Sequence, residues 1–324
     1  MKSKSEIVLG TMNFGKTDWG ISKNEAFKLL DTFVSLGYNK LDTSNFYAQG
    51  NSETIIGEWV LINSRDTVEI CTKVGGQDPN DKKIGGHSHD SILKSVDNSL
   101  KRLKTDTIDI LYLHFPDFEK DLGVTVKTIG ELIKGGIVKK WGLSNYTALE
   151  ISNVLSECKK YSIPQPRYLE QLSNLIEYCA MFEIIPYAQE NGIQVFSWSP
   201  LCGGLLTDAA RHGYYDNRYK FDNFWNIYKN NSLISKYFAI SDKYNFPMEK
   251  IALLFLVAHG ITPICGFTSY KELIDLHNKF EEVVCIKDEL SGKNIVNICH
   301  EVMQAMVPYP YNLLRFMGCQ KFYR

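Results

Sequence analysis

The chain reads as an α/β protein that closes into a (β/α)8 TIM barrel with a C-terminal helical extension. Three observations carry this. Short apolar runs alternate with amphipathic stretches from near residue 6 to about residue 280. The alternation makes eight pairs, the count that closes a barrel of parallel strands. No G-x-G-x-x-G occurs anywhere, whereas a doubly wound open sheet would usually carry one after its first strand.

The elements follow in order. The first pair is a strand at 6–10 and a helix at 23–36. In the second, the run Tyr38–Leu41 gives a strand at 38–42 that ends on Asp42, with a helix at 52–61. In the third, Val68–Thr72 gives a strand at 67–72 that leads into Lys73, with a helix at 88–103. That helix carries Ile92, Leu93, Val96, Leu100 and Leu103 at 3.6-residue spacing, with Asp90 and Ser91 as candidate caps. In the fourth, Ile108–Leu113 leads into His114, with a helix at 124–135. Strands at 138–143, 167–172, 193–198 and 262–266 follow, with helices at 147–160, 180–191, 232–245 and 270–280. Two pieces interrupt the repeat. Residues 208–231 form a long connection rich in aromatic side chains, including Trp225. A loop of that length is usually functional, and its aromatics argue against disorder. A tail from about 284 to 324 holds a helix near Asp288–Met306. No linker marks a second domain, so 1–324 is expected to be one domain.

Composition narrows the function. The 324 residues are 44% hydrophobic and 23% charged, ordinary for a soluble globular chain. A net charge of −1, with Lys and Arg scattered, excludes an electrostatic nucleic-acid footprint. The polar start Met1–Glu6 is not a signal peptide, and no apolar run reaches the roughly 18 residues of a membrane span. The eight cysteines contain no Cys-x-x-Cys pair and read as reduced thiols rather than a disulfide framework or a metal site. A cytoplasmic protein with no nucleic-acid or membrane partner is expected.

In a barrel the strand C-termini build the active site. Three successive strands here deliver a carboxylate (Asp42), a phenol (Tyr47), an amine (Lys73) and an imidazole (His114). A lone Asp-Thr-Ser is usually a turn, a lone strand-end Lys usually meets solvent, and a lone His is more often structural. The coincidence across consecutive strand ends raises the functional reading. The set can give a proton to a carbonyl oxygen. A tyrosine with pKa near 10 is a poor acid at pH 7. An ammonium about 4 Å away should favour phenolate by roughly 4 kcal/mol and lower the phenol's pKa toward neutrality. Asp42 would keep Lys73 protonated, and His114 would orient the substrate oxygen. A hydride donor must come from elsewhere. Ser144, Asn145 and Gln171 offer partners for a carboxamide, and Trp198 a face for ring stacking. Ser199 to Leu205 forms a glycine-containing loop whose amides suit a pyrophosphate.

These residues resemble the aldo-keto reductases. The resemblance rests on Leu9-Gly10-Thr11-Met12-Asn13-Phe14-Gly15, Leu41-Asp42-Thr43-Ser44, Tyr47 with Ser52-Glu53 and Gly57, and Thr72-Lys73. It continues through Ser99–Leu103, Leu113-His114, Pro116-Asp117, Gly142-Leu143-Ser144-Asn145 and Gln171. Ser197–Leu201, Gly203 to Thr207 and Ile264-Cys265-Gly266 complete it, covering about residues 8–280. It implies a barrel that binds NADPH, with NADH as the other candidate, and reduces an aldehyde or ketone with Tyr47 as proton donor. It implies cofactor contacts from Thr11, Met12, Asp42, Ser144, Asn145, Gln171, Trp198, Ser199, Leu201, Gly203, Leu205, Gly266 and Thr268. The chain departs from the family pattern in three places. It starts almost at strand 1. The segment after Gln171 is about one residue short, with Asn174-Leu175 where the family often has Tyr-Asn or Tyr-Ser. Glu272 and Leu276 occupy positions that commonly hold Arg or Gln and Asn at the adenosine end.

Trp19, Phe115, Arg218 and Trp225 are the candidate substrate residues, and the aromatic and cationic mix suits a sugar-like carbonyl compound. Two other classes remain open. One is a non-catalytic NADPH-binding regulatory subunit. The other is a Schiff-base lyase using Lys73, against which the nearby tyrosine argues.

Overall fold

The computed structural model describes residues 7–78, 83–212, 228, 231–289 and 293–306. Eight parallel strands close in sequence order. They are β1 (Val8–Gly10), β2 (Lys40–Asp42), β3 (Glu69–Val74), β4 (Ile108–Leu113), β5 (Val138–Ser144), β6 (Tyr168–Leu172), β7 (Gln194–Trp198) and β8 (Ile261–Cys265). The closure runs from β8 to β1 through Val8 opposite Ile264 and Leu9 opposite Cys265. Each strand lies on one of the apolar runs identified in the sequence, shifted by at most about two residues.

The helices are α1 (Lys23–Ser35), α2 (Asn51–Ile62), α3 (His89–Leu103), α4 (Leu122–Lys134), α5 (Ala148–Tyr161), α6 (Ile184–Glu190), α7 (Ser232–Tyr244), α8 (Met248–Ala258), α9 (Tyr270–Glu289) and α10 (Lys293–Ala305). The stripe read on α3 faces inward at Ile92, Val96 and Leu103. Its cap, however, is Ser88, whose hydroxyl accepts from the Ser91 amide, so the helix starts before the two residues proposed as caps. Helix α8 was not foreseen. Met248, Glu249 and every residue from Ile251 to Val257 are buried, so it lacks the polar face that gives a helix its periodic signature. The expected helix at 180–191 is a short 3-10 turn, Cys179–Phe182, followed by α6. The tail helix α10 buries Ile298 and Val302 in the core. It is tied to α7 by Glu301, which accepts from Lys243 Nζ at 2.5 Å and Tyr244 OH at 2.6 Å. No described helix is long and apolar enough to cross a membrane.

Alternate residues of each strand point into the barrel. Val8, Cys71, Ile110, Tyr112, Tyr168, Phe196 and Ile264 fill its interior as one cluster. Gly142 on β5 makes the room for Tyr112. A Cβ there would lie 2.6 Å from the tyrosine ring and 2.7 Å from the Tyr168 carbonyl oxygen. Above this apolar layer the inward positions become polar, and the site begins.

Candidate active site

Asp42 ends β2, and the chain turns through Thr43–Phe46 to Tyr47. The turn is held by the Thr11 hydroxyl, which donates to the Asp42 carbonyl at 2.8 Å and lies 2.7 Å from Ser52 Oγ. Tyr47 opens a short turn in which Ala48 and Gln49 take φ of 49° and 57°. Such left-handed backbone is costly for residues other than glycine and clusters at functional sites. Lys73 is fully buried on β3. Its ammonium donates to Asp42 Oδ1 at 2.5 Å, the Thr43 carbonyl at 2.9 Å and the Tyr47 hydroxyl at 3.2 Å. His114 follows β4, stacked between Phe46 and Phe115 at centroid distances of 4.9 and 4.4 Å. Its Nδ1 lies 3.3 Å from Ser44 Oγ. The geometry therefore brings Asp42, Tyr47, Lys73 and His114 into one cluster.

The electrostatics differ from the sequence expectation at Tyr47. Its phenol is pushed up from its ordinary value, not down. Burial is the largest cause, and Asp42 and Glu170 add to it; the lowering effect of Lys73 does not offset them. Burial also works against the Lys73 ammonium, but Asp42 and Glu170 outweigh it, so the amine stays charged well above its usual range. Burial first, then Lys73, hold His114 well below its ordinary value, so the ring is neutral at pH 7. A charged lysine thus donates to a neutral phenol. That phenol can pass its proton to a substrate oxygen, while the neutral imidazole supplies a hydrogen bond.

A cavity of about 780 Å³ opens over this cluster. Its walls include Met12, Trp19, Asp42, Tyr47, His114, Phe115, Ser144, Asn145, Trp198, Ser199, Leu201, Gly203, Gly266 and Thr268. Several sequence candidates lie off the wall. Thr11 is buried in the hydrogen bonds just described, and Leu205 packs in the core. Gln171 sits opposite Ser197 on β7, whereas Glu170 sits opposite Phe196, a barrel-interior residue. Inward facing on β6 therefore falls to Glu170, which does line the cavity. Arg218 and Trp225 lie outside the described residues.

Glu170 is the residue that sequence reasoning missed. Two signals for it were present. Steps of two along β6 from Tyr168 reach Glu170, not Gln171. Reading Glu170 in place of Gln171 also removes the one-residue shortness before Asn174-Leu175. Its carboxyl is 2% exposed, with Oε2 at 3.4 Å from Lys73 Nζ.

Asn145 takes φ of 63°, which folds its side chain back onto the protein. Its Nδ2 donates to the His114 carbonyl at 3.1 Å and Ser144 Oγ at 2.9 Å, and its Oδ1 accepts from Trp198 Nε1 at 3.0 Å. In this structure Asn145 holds the Trp198 ring in place. In the loop after β7, the amides of Cys202, Gly204, Leu205 and Leu206 are spent within the loop. Among the described residues, those of Leu201 and Gly203 have no such partner. At the far end of the cavity, Glu272 accepts from the Thr268 amide at 2.8 Å and the Thr268 hydroxyl at 2.6 Å. Glu249 and Asp275 line the same end, with Lys279 Nζ at 3.3 Å from Glu249 Oε1 and 2.8 Å from Asp275 Oδ2.

The model of the Aldo/keto reductase family matches residues 6–291. The chain belongs to this family. An aryl-alcohol dehydrogenase (GME11368) of Pestalotiopsis microspora is 30% identical over 279 residues, 81% of this chain and 71% of the relative. Aflatoxin B1 aldehyde reductase member 2 of Rattus norvegicus is 31% identical over 63% of this chain and 54% of its own length. A probable voltage-gated potassium channel subunit beta of Arabidopsis thaliana is 31% identical over 71% of this chain and 72% of its own.

Proposed function

We propose that the protein reduces an aldehyde or ketone to an alcohol, with Tyr47 as the proton donor and a reduced nicotinamide dinucleotide as the hydride source. The observation that carries this is the chain Asp42–Lys73–Tyr47, with Asp42, Tyr47 and His114 lining the cavity and the Lys73 ammonium buried behind them. Asp42 holds Lys73 charged, Lys73 donates to the Tyr47 hydroxyl, and the phenolic proton is the one available to the substrate oxygen. His114, neutral and sandwiched by two phenylalanines, orients that oxygen.

The walls fit such a cofactor. Trp198 presents a ring fixed by Asn145. Glu170 Oε2 is a buried acceptor with no hydrogen-bond partner among the described residues, suited to a carboxamide N–H. The Leu201 and Gly203 amides suit a pyrophosphate. When bound, the dinucleotide supplies the hydride. Thr268 and Glu272, which line the same cavity as the proton-donating cluster, would hold its adenosine end. There Glu272 already takes the two Thr268 donors that a 2′-phosphate would use, and Glu249 and Asp275, sharing the one Lys279 ammonium, leave a net negative charge. A free 2′-hydroxyl can donate to a carboxylate, whereas a phosphate is repelled. The reading that follows is NADH in preference to the NADPH that the family resemblance implies. The substrate class remains the sugar-like carbonyl suggested by the sequence.

Purified protein is titrated with NADH and NADPH by tryptophan fluorescence, then assayed against aldehydes and keto-sugars. Tyr47→Phe should bind cofactor normally and lose about 10²- to 10⁴-fold in kcat. Absence of binding by either cofactor sinks the proposal. Binding without turnover would favour the regulatory reading, whose motive is the likeness to a protein named as a potassium channel subunit beta.

A further inference from the structure

Glu170 is a buried acid beside the acid–base cluster that the proton path through Tyr47 does not itself use. Its Oε2 lies 3.4 Å from Lys73 Nζ and has no hydrogen-bond partner among the described residues. The groups around it come from several elements. Asp42 belongs to β2, Tyr47 to the turn after it, Lys73 to β3, and Tyr112 to β4. The register partners from β5 and β7 are the uncharged Ser144 and Phe196. Asp42 and Glu170 are 4% and 2% exposed and share a single ammonium. Two carboxylates this close and this dry do not both ionise near neutrality. Asp42, at 2.5 Å, is the ionised partner of Lys73. Glu170, further off, keeps its proton.

We propose that Glu170 is a positioning residue of the acid–base set: as a neutral carboxyl it leaves the Lys73 ammonium to Asp42 and Tyr47. Its ionisation competes for that ammonium and places a second negative charge beside the phenol. The kinetic consequence rests on the reductase reading; the proton on Glu170 does not. Burial, and after it Asp42, push this carboxyl up to about 8. In reduction Tyr47 gives up its proton and becomes negative. An ionised Glu170 opposes that, so reduction slows as pH rises through about 8. A glutamine cannot ionise, so the brake is absent in Glu170→Gln.

The experiment has two arms, both on the full-length protein. In the first, kcat for carbonyl reduction is followed against pH for wild type and Glu170→Gln. The alkaline limb of the variant should move up by about one pH unit or more. An unmoved limb in an active variant overturns the proposal. In the second, carboxyl-labelled glutamates are titrated by carbon NMR without cofactor. One resonance should titrate near 8 in wild type and be missing in Glu170→Gln. If all glutamates titrate near the ordinary value of about 4.3, the proposal is overturned. If Glu170→Gln does not fold, the wild-type titration decides alone, since a glutamate titrating near 8 supports the proposal and its absence overturns it. If no carbonyl compound is reduced, the reductase reading fails while the NMR arm still decides the protonation of Glu170.

Discussion

Replacing Lys73 by methionine keeps most of the side-chain volume and removes only the ammonium. The ammonium lies 2.5 Å from Asp42 Oδ1, where the gross attraction is about 7 kcal/mol at an effective dielectric near 20. Stripping water from both ions offsets much of this, and removing one partner of a buried pair typically costs roughly 3–5 kcal/mol. A second bound comes from protonation. Without Lys73 the buried Asp42 can take up a proton instead of remaining an unpaired charge. From an unfolded pKa of about 3.9, that costs about 4 kcal/mol at pH 7 and only about 1.5 kcal/mol at pH 5. The sign follows from linkage. The variant's Asp42 has a folded pKa raised above its unfolded value. Its stability is therefore fully present below about pH 3.9 and is lost as pH rises. At about 2 °C per kcal/mol for a chain of this size, the melting temperature should fall by roughly 8 °C at pH 7 and about 3 °C at pH 5. Melts followed by circular dichroism at both pH values test this. A loss equal at the two pH values, or one below about 2 °C at pH 7, would refute the buried-pair account.

Two further outcomes are expected. Glu272→Gln frees the Thr268 donors of a negative partner, so the ratio of NADPH to NADH affinity should rise by about tenfold, or ~1.4 kcal/mol, in a fluorescence titration; an unchanged ratio would remove Glu272 from cofactor choice. Gly57→Ala puts a Cβ 2.1 Å from the Arg102 carbonyl oxygen and 2.7 Å from the Leu103 carbonyl carbon, where α2 crosses the end of α3. Backbone cannot yield as a side-chain tip does, so a loss of about 3 kcal/mol or more is expected in urea unfolding.

Most of the site was legible because its residues sit at the ends of apolar runs. A strand in a barrel is short and buried, so its run is easy to mark, and the polar residue that ends it stands out. Asp42, Lys73 and His114 were found that way. Glu170 was not, since it lies inside such a run. A strand buried on both faces shows no polar alternation, so composition does not say which of two neighbours faces inward. Helix α8 was hidden for a related reason: it is buried nearly all round and shows no polar stripe. The upward shift of Tyr47 was also out of reach. The sequence offered Lys73 as a neighbour, but the burial that outweighs it comes from the folded barrel, and the second carboxylate comes from β6.

The order of the eight strands, the barrel they close and the chemical kit at its mouth follow from the sequence by itself, because they depend on local patterns of polarity. Tertiary structure decided the rest. Pairing with β5 and β7 turned Glu170 inward and Gln171 away. Packing of the barrel interior excluded water from Lys73 and Tyr47; this tightened the phenol's hold on its proton and opposed the ammonium, which the carboxylates brought beside it keep charged. Charge state depends on distance and dielectric, and both are set only when segments remote in the chain come together.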